Sequence, residues 1–558
     1  MRIIKYLTAL ICLLMPLLPA AAQQGRVAVS GQVSDPDGYP VPGVSVIESG
    51  TRNGVSTDLD GMYRITVASD AVLDVQCIGY RSVQVRVSGA GTYNVVLPED
   101  ATLLDDAVVV GYGTMKKANL TGAVDQISSD AFEGRAVASL SQMLTGQIPN
   151  LNLKFTDGRP NASPSYNIRG TTSIGQGGSA LVLIDGVEGD PSMLNPNDIE
   201  SVSVLKDAAS SAIYGSRAPY GVVLITTKNP DKDKVSANYS SSFIFETPTC
   251  IPSFVTEGVT YASMFYDAWF NYNHTSPDNI NSKMYFSNAW LAEYKRRAAE
   301  GDWGMEVSDG SFGIEKGRWV YYIKGTDYID EIYKDYSFTH SHNISLSGSS
   351  GNFSYYLSGR YYHNNGLFDS KTNPDYYSMM DTRLKVSYQA TPWLRISNNT
   401  NISSTDYRTP QNNTGEAAGN VWRNIADNGA VCSPIYNPDE TLTITGLYTV
   451  GDFINGYSWK NFDKKQYQNT ISATASFFDK SLRLNADFTY RKKDEYRTYR
   501  KTLTPFSRYE NKLEYLSGRH QYLEEIVDDY RYISTNEYVE YEKTLGNHWL
   551  KGMLGYNY

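Results

Sequence analysis

Cysteine and histidine are scarce in this chain, which has four cysteines and six histidines among its 558 residues. Cys77, Cys250 and Cys432 lie far apart beyond the N-terminal segment, and their spacing fits neither a disulfide framework nor a metal site. His340 and His342 share one face of a predicted strand, but two imidazoles without a third ligand are more often ordinary polar residues. We therefore expect no metal and no cofactor.

Catalytic signatures are also missing. The sequence has no HExxH, no G-x-S-x-G and no phosphate-binding loop. The acidic group of Asp185, Glu188 and Asp190 is interrupted by Gly186 and Gly189, which indicates a turn rather than a catalytic carboxylate pair. There is no block rich in Lys and Arg, and the formal net charge is -10, so nucleic acid is a poor candidate partner. We expect a protein that is not an enzyme.

Long apolar runs are confined to the N-terminus. Residues 1–22 combine a basic start at Arg2 and Lys5 with an apolar stretch and three final alanines, the composition of a cleavable secretory signal. No later window offers the roughly 18 apolar residues of a membrane helix. A membrane protein with this sequence would have to be a β-barrel.

Residues 25–98 show short alternating runs separated by Gly-, Pro- and Asp-rich turns, which predicts an Ig-like β-sandwich. The stretch from Gly31 to Val67, beginning GQVSDPDGYPVPGVSV, resembles the carboxypeptidase-regulatory-like domain. Residues 99–115 follow as an acidic linker with a β-prone core, LDDAVVVGYGT. Such an extended segment is suited to adding a strand to the sheet edge of a partner, although it would also suit a linker strand packed within the preceding domain.

Five blocks in residues 116–230 occur in an order that resembles the plug of TonB-dependent outer-membrane transporters of the SusC/RagA type. The blocks are LTGAVDQIS, LTGQIPNLNL, NIRG, LVLIDGV and the segment from Asp198 to Lys228. The resemblance implies an α+β plug, with these motif residues: Arg169, Gly170, Asp185, Gly186, Lys206, Asp207, Tyr214, Gly215 and Gly221. It also implies that the preceding linker binds the periplasmic protein TonB through Asp106, Ala107, Val108, Val109, Val110, Gly111 and Tyr112.

Within the plug-like region, the apolar runs at Val202–Leu205 and Val222–Thr227 predict two buried strands. A helix of small residues is expected from Ala208 to Tyr214. For Arg169 we consider an ion pair with a barrel carboxylate, which would hold the plug reversibly, and equally a plain surface arginine at a strand end.

Residues 234–558 read as long antiparallel hairpins, each strand having one apolar and one polar face. Tight turns join them on one side, and long loops at 246–335, 406–465 and 491–528 join them on the other, as in outer-membrane barrels. Aromatic rings in the loops suit stacking on sugars but equally suit contact with a lid protein or lipopolysaccharide. The ligand-contact candidates are Trp269, Tyr272, Trp290, Trp422 and Tyr436.

About ten strands are predicted here, whereas a barrel wide enough for a plug needs about 22. We therefore expect a mostly β protein whose barrel is only the first part of a complete one, so that the chain is a fragment or a truncated reading frame of a longer transporter.

The resemblance implies active import across the outer membrane of a Gram-negative bacterium, driven through TonB and its inner-membrane energy complex. A surface lipoprotein of the SusD type is the implied partner, and oligosaccharide is the implied cargo, with peptides or another nutrient as the alternative. Two other classes remain open from the residues alone. A secreted enzyme would need a catalytic pair or triad after Lys228, and an adhesive β protein would have no use for a TonB-binding segment.

Overall fold

The computed structural model describes residues 26–35, 39–51, 53–77, 80, 82–98, 107–110, 113–116, 124–132, 139–155, 159–168, 170, 178–230, 235–248, 251, 253–303, 310–412, 421–545 and 548–558. The predicted signal, residues 1–22, lies outside them. The chain forms two compact units that divide near Val108.

The first unit contains a β-sandwich, as the alternating runs predict. Two four-stranded sheets enclose one apolar core, to which Val29 and Ile65 contribute from one sheet and Val46 and Leu73 from the other. Its strands are β1 (Arg26–Ser34), β2 (Ser45–Glu48), β3 (Gly54–Ser56), β4 (Met62–Ala68), β5 (Val72–Gln76), β6 (Val83–Arg86), β7 (Gly91–Thr92) and β8 (Val95–Val96). Each long strand alternates buried and exposed residues, which is what a half-buried strand requires.

Two short strands follow, β9 (Ala107–Val110) and β10 (Gly113–Lys116). The extended backbone of β9 covers four of the seven residues of the predicted TonB-binding segment. Asp106, Gly111 and Tyr112 lie outside the described residues. The assignment of this segment to a partner stays a prediction.

Residues 124–230, the central domain, are built on a five-stranded sheet of order β11-β16-β17-β14-β15 and a separate hairpin of β12 and β13. The strands are β11 (Val124–Ser128), β12 (Leu151–Lys154), β13 (Ser165–Ile168), β14 (Leu181–Ile184), β15 (Val187–Glu188), β16 (Ile199–Leu205) and β17 (Val222–Thr227). The helices are Leu140–Leu144 and Ala208–Ser211, with 3-10 turns at Ser129–Phe132, Pro191–Met193, Pro196–Asp198 and Ala212–Arg217.

Both strands predicted in this domain are confirmed, and β16 and β17 pair antiparallel in its core. The predicted helix is shorter than expected. It ends at Ser211 and continues as a 3-10 turn that is broken at Gly215, where φ is 55°. Ser210 and Ser211 have lower helix propensity than the alanines beside them, and Gly215 adopts a left-handed conformation that a helix cannot accommodate, which accounts for the early end.

In the five-stranded sheet, three loops lie together at one edge, which is formed by the ends of strands β14, β16 and β17 and not by an edge strand. Strand β14 runs parallel to β17, so their carboxyl ends meet, and the antiparallel β16 begins at the same edge. Asp185 follows β14, Thr227 ends β17 and Asp198 immediately precedes β16. This edge therefore collects two carboxylates that are not close in sequence.

A second, larger sheet contains nine antiparallel strands in the order β18-β23-β24-β25-β26-β27-β28-β31-β32, and is called the long sheet below. The remaining strands of the chain are β18 (Ser236–Glu246), β19 (Asn279–Ile280), β20 (Met284–Tyr285), β21 (Phe312–Glu315), β22 (Arg318–Tyr321), β23 (Ser337–Ser350), β24 (Phe353–Asn365), β25 (Tyr376–Thr391), β26 (Leu394–Pro410), β27 (Trp459–Phe477), β28 (Leu482–Lys501), β29 (Phe506–Tyr509), β30 (Lys512–Glu514), β31 (Tyr522–Leu545) and β32 (His548–Asn557). The sheet is consistent with part of a barrel.

The strands of the long sheet extend further than the sequence predicted. The two ends of each of the predicted loops at 406–465 and 491–528 belong to strands, namely β26 and β27 for the first and β28 and β31 for the second. These strand ends have charged residues on both faces, so hydropathy does not alternate along them and does not indicate a strand. Cross-strand ion pairs, such as Arg497 with Asp528 and Lys464 with Glu495, accompany the pairing there.

The connections opposite the tight turns fold into a compact layer, called the loop domain, made from residues 253–303, 310–335, 421–458 and 502–516. It contains helices Gly258–Asn273, Asn288–Glu300, Val421–Asn428, Ile444–Gly446 and Asp452–Asn455, and a π turn at Leu447–Gly451. Two apolar clusters, one around Trp290 and one around Phe453, form its core. Among the described residues, no helix is long and apolar enough to cross a membrane.

Candidate functional site: the interface between the central domain and the long sheet

Strand β25 supplies the cations of the site. Arg383 and Lys385 are buried, whereas the intervening Leu384 is exposed on the opposite face. This alternation follows from the two-residue period of a strand, which sends consecutive side chains to opposite sides of the sheet. The face with the two cations lies against the edge of the central domain that collects Asp185 and Asp198.

Asp185 occupies the two-residue turn between β14 and β15, where its φ of 48° and the φ of 85° at Gly186 bring the chain back sharply. Its Oδ1 accepts a hydrogen bond from the main-chain N–H of Thr227 at 2.9 Å, and its Oδ2 accepts one from the Thr227 hydroxyl at 2.6 Å. From the long sheet, Asn399 donates to the same Oδ2 at 2.9 Å.

The two cations of β25 complete the surroundings of this carboxylate. Lys385 Nζ lies 3.3 Å from Asp185 Oδ2, and an Arg383 guanidinium nitrogen lies 3.5 Å from it. Burial raises the pKa of Asp185, but Lys385, Arg383 and the hydrogen bonds from Thr227 outweigh burial and hold that pKa below its ordinary value. Asp185 is therefore a charged, fully partnered anion inside the interface.

Asp198 is completely buried and is held mainly by the neighbouring strand β24. The Tyr356 hydroxyl donates to its Oδ1 at 2.9 Å, and the Ser358 hydroxyl donates to its Oδ2 at 2.7 Å. Asn195, from the same 3-10 turn of the central domain, donates to Oδ1 at 3.1 Å and also donates to Asn343 Oδ1 of β23 at 2.7 Å. Asp198 thus fixes the central domain against two adjacent strands.

Arg383 links the two carboxylates, because its Nε lies 3.6 Å from Asp198 Oδ2 while another nitrogen approaches Asp185. Lys385 adds a main-chain contact by donating to the carbonyl oxygen of Thr227 at 2.9 Å. Breaking a buried charge pair on one side leaves the other charge uncompensated, which is strongly destabilising. The interface therefore holds through polar contacts that must be broken together.

The described motif residues are distributed over the central domain. Gly186 shares the turn of Asp185. Lys206 forms an ion pair with Asp125 on β11, and Asp207 caps the helix that follows by accepting from the Ser210 main-chain N–H at 2.7 Å. Tyr214 is buried in the small cluster beside β17, and Gly170, Gly215 and Gly221 all have positive φ. These residues shape the central domain rather than form one reactive centre.

Arg169, for which the sequence left open an ion pair with a barrel carboxylate or a plain surface position, lies outside the described residues. The ion pairs that the described residues form across this interface join Asp185 and Asp198 of the central domain to Arg383 and Lys385 of β25. Sequence analysis placed Asp185 in a turn and among the plug motif residues without a partner, and it did not single out Asp198. The available signal was the pattern TRLKV in β25, where two cations occupy alternate positions beside apolar residues.

The ligand-contact candidates separate in the loop domain. Tyr272 is 86% exposed and Trp269 is 40% exposed, both near the end of the helix Gly258–Asn273. Trp290 is only 1% exposed and differs from the expectation, because its ring fills the core and its Nε1 donates to the Tyr321 carbonyl oxygen at 3.0 Å. Tyr436 is half-buried and accepts from Asn455, and the Trp422 side chain lies outside the description.

No group of three or more His, Cys, Asp or Glu side chains suited to a metal ion occurs in the described part of the chain. His340 and His342 do lie on one face of β23, with ring centroids 5.3 Å apart. Tyr239 and His363 surround them, and the rings pack as an aromatic surface.

Comparison with known proteins assigns two regions. Residues 116–222 match the family described as TonB-dependent Receptor Plug Domain, and residues 29–110 match the CarboxypepD_reg-like domain.

Relatives match over longer stretches. TonB-dependent receptor P3 of Formosa agariphila is 28% identical over 488 residues, which cover 85% of this chain and 43% of that protein. TonB-dependent receptor SusC of Bacteroides thetaiotaomicron is 38% identical over 252 residues, or 43% of this chain and 25% of that protein. The fold is similar to the RagAB peptide importer in its open-open state, with a TM-score of 0.59, 21% identity, and coverage of 81% of this chain and 48% of that one. The chain spans less than half the length of each.

Proposed function

We propose that this chain takes part in active nutrient uptake across the outer membrane. The premise is that the two matched domains and the SusC-type relatives identify the chain as a SusC/RagA-type TonB-dependent receptor. In this proposal residues 1–22 are a cleaved signal, 25–98 an accessory β-sandwich, 99–115 the TonB-binding linker, 116–230 the plug and 234–558 part of the barrel wall. The chain supplies no chemistry of its own, and energy comes through TonB.

The polar interface around Asp185 and Asp198 is the observation that carries this proposal. A plug must be held firmly enough to block passage and yet be removable, so an apolar interface with the permanence of a protein core would serve it poorly. Here the contacts between the central domain and the long sheet are hydrogen bonds and ion pairs from Arg383, Lys385 and Tyr356. Loss of one partner destabilises the others, because each buried charge depends on its counterpart.

We assign the contact with TonB to the segment Asp106–Tyr112. Its four described residues are already extended, and an extended segment can join the sheet edge of a partner through main-chain hydrogen bonds. Tension on this segment would reach the central domain through β11, the edge strand of its sheet.

The proposed cargo is an oligosaccharide, bound on the outer side with the help of a SusD-like lipoprotein. Exposed aromatic rings at Trp269 and Tyr272 are suited to stacking on sugar faces. A peptide is the alternative cargo, and the structural similarity to a peptide importer, at 21% identity, concerns the fold alone.

Binding of the TonB C-terminal domain to the full chain in detergent tests whether the segment Asp106–Tyr112 couples the chain to TonB. Val109→Pro removes a main-chain donor from the segment, so we expect binding to fall about tenfold or more, as for the loss of about 1.4 kcal/mol of strand pairing. Val109→Ala keeps the donor and is the matched control, with binding expected to stay near that of the unmodified chain. Equal binding by the proline and alanine variants would refute the coupling role.

Cargo class is tested separately by retention of fluorescent oligosaccharide and peptide pools on the immobilised chain. Retention of oligosaccharides that falls in Tyr272→Ala supports the proposed class. Retention of peptides and not of oligosaccharides would refute the oligosaccharide proposal and favour a peptide cargo.

A further inference from the structure

A small pocket in the loop domain collects positive charge away from the interface described above. It lies between β20, β22, the short helix Ile444–Gly446 and the start of the β29 hairpin. Lys283, Arg318 and Arg508 line it, together with Trp319 and Thr445. The pocket has space for a group of about the size of a small ion.

Two of the three cations have no carboxylate partner among the described residues. Lys283 Nζ lies 4.2 Å from the ring centroid of Tyr448, and the Arg318 guanidinium carbon lies 5.5 Å from that of Tyr285. Only Arg508 is paired, through hydrogen bonds of 2.9 and 3.0 Å to Glu514. Burial lowers the pKa of the Lys283 ammonium, as expected for a partly buried cation without an anion beside it.

Two buried polar atoms of the lining also lack hydrogen bonds within the described part of the chain. They are the indole Nε1 of Trp319 and the hydroxyl oxygen of Thr445. Both residues are more than nine-tenths buried, and a buried donor without an acceptor is destabilising. An indole N–H can only donate, so its missing partner is an acceptor.

We infer that this pocket binds a small oxyanion, either free in solution or as a sulfate, phosphate or carboxylate group on a larger ligand. Lys283 and Arg318 would supply the charge, and Trp319 and Thr445 would supply directed donors. A cation is a poor candidate, because the nearby Glu315 already accepts from the Tyr285 and Ser287 hydroxyls at 3.2 and 3.0 Å. This inference is independent of transport, since it concerns binding by the loop domain alone.

The experiment titrates the full chain in detergent, with its tryptophan side chains labelled by nitrogen-15, against sodium sulfate at constant ionic strength maintained with chloride. The chain has eight tryptophans, and one indole N–H signal is expected to shift saturably. That signal should be missing in Trp319→Phe. Lys283→Met should weaken sulfate binding about tenfold, the effect of losing one charge-assisted hydrogen bond.

Lys295→Met is the matched control, because Lys295 lies exposed on the helix Asn288–Glu300 away from the pocket, and its sulfate affinity should remain within about twofold of the unmodified chain. If Lys283→Met fails to fold, Thr445→Val removes one donor at nearly constant shape and should also weaken binding. Glucuronate and glucose test whether the bound oxyanion is free or is a group on a sugar. A shift with glucuronate and none with glucose indicates an acidic sugar, whereas a shift with sulfate alone indicates a free ion. No saturable shift with sulfate or glucuronate, or equal affinity in the Lys283 and Lys295 variants, would overturn the inference.

Discussion

Lys385 binds the central domain at two points, because its Nζ lies 3.3 Å from Asp185 Oδ2 and also donates to the Thr227 carbonyl oxygen at 2.9 Å. A single side chain of β25 therefore joins the turn after β14 to the end of β17. Since both points belong to one sheet, displacement of the turn and of the strand end should occur together.

Asp185→Asn should loosen the central domain from the long sheet. The amide keeps the shape but removes the anion, which leaves Arg383 and Lys385 buried with less compensation, at an expected cost of up to about 3–5 kcal/mol. Hydrogen exchange of the β14 and β17 amides should accelerate. Glu188→Gln is the control, because the Glu188 pair with Arg217 is exposed and worth less than about 1 kcal/mol. Equal protection in the two variants would contradict a role for this buried pair.

Acid should remove the contribution of Asp185. Burial raises its pKa, but Lys385, Arg383 and Thr227 hold it below the ordinary value of 3.8. A carboxylate whose pKa is lowered by folding stabilises the fold fully above its unfolded pKa, and this stabilisation is lost as the pH falls through the folded value. The thermal midpoint should therefore drop more steeply below about pH 4 in the unmodified chain than in Asp185→Asn. Parallel curves would show that this group does not govern the acid response.

Gly221→Ala should destabilise the central domain far more than Gly186→Ala. Both glycines have positive φ, 90° and 85°, so an alanine is strained at either position. Only at Gly221 would the new methyl group also meet neighbours, at 2.7 Å from Ile168 Cδ1 and 2.8 Å from the Leu205 carbonyl oxygen. Gly186→Ala should cost about 1 kcal/mol and Gly221→Ala about 2 kcal/mol more, measured by denaturant unfolding. Equal losses would mean that backbone strain alone decides.

Trp290→Ala should unfold or strongly loosen the loop domain, with a cost of about 3–5 kcal/mol, because a large buried ring leaves a cavity and frees the Tyr321 carbonyl oxygen. Trp269→Ala should cost less than about 1 kcal/mol, since that ring is largely at the surface. Limited proteolysis of the loop domain measures the difference. A Trp290 variant as resistant as the Trp269 variant would contradict its core position.

Local patterns were sufficient for much of the fold. The alternation of the N-terminal runs predicted the sandwich, the apolar run Val222–Thr227 predicted a strand with the same bounds, and short turns predicted the hairpins of the long sheet. These features depend on side chains close together in sequence. The charged ends of the long strands were missed, because polar side chains lie on both faces there and hydropathy does not alternate with a two-residue period.

The site was harder to predict for a physical reason. Asp185, Asp198 and Arg383 meet only after β14, β16 and β17 form one sheet and the long sheet lies against it. Nothing local distinguishes a carboxylate that pairs across such an interface from one in an exposed turn. The sequence analysis considered an ion pair with the barrel only for Arg169, which lies outside the described residues, and it did not identify β25 as the partner of Asp185 and Asp198.

Hydrogen-bonded neighbours in the long sheet follow one another along the chain, and the central domain precedes all nine strands. During synthesis Asp185 and Asp198 are therefore made before β25. A one-residue slip in β25 would turn Arg383 and Lys385 to the opposite face and leave both carboxylates without cations. The buried charges therefore disfavour that slip, and the penalty is largest where Arg383 and Lys385 meet the two carboxylates.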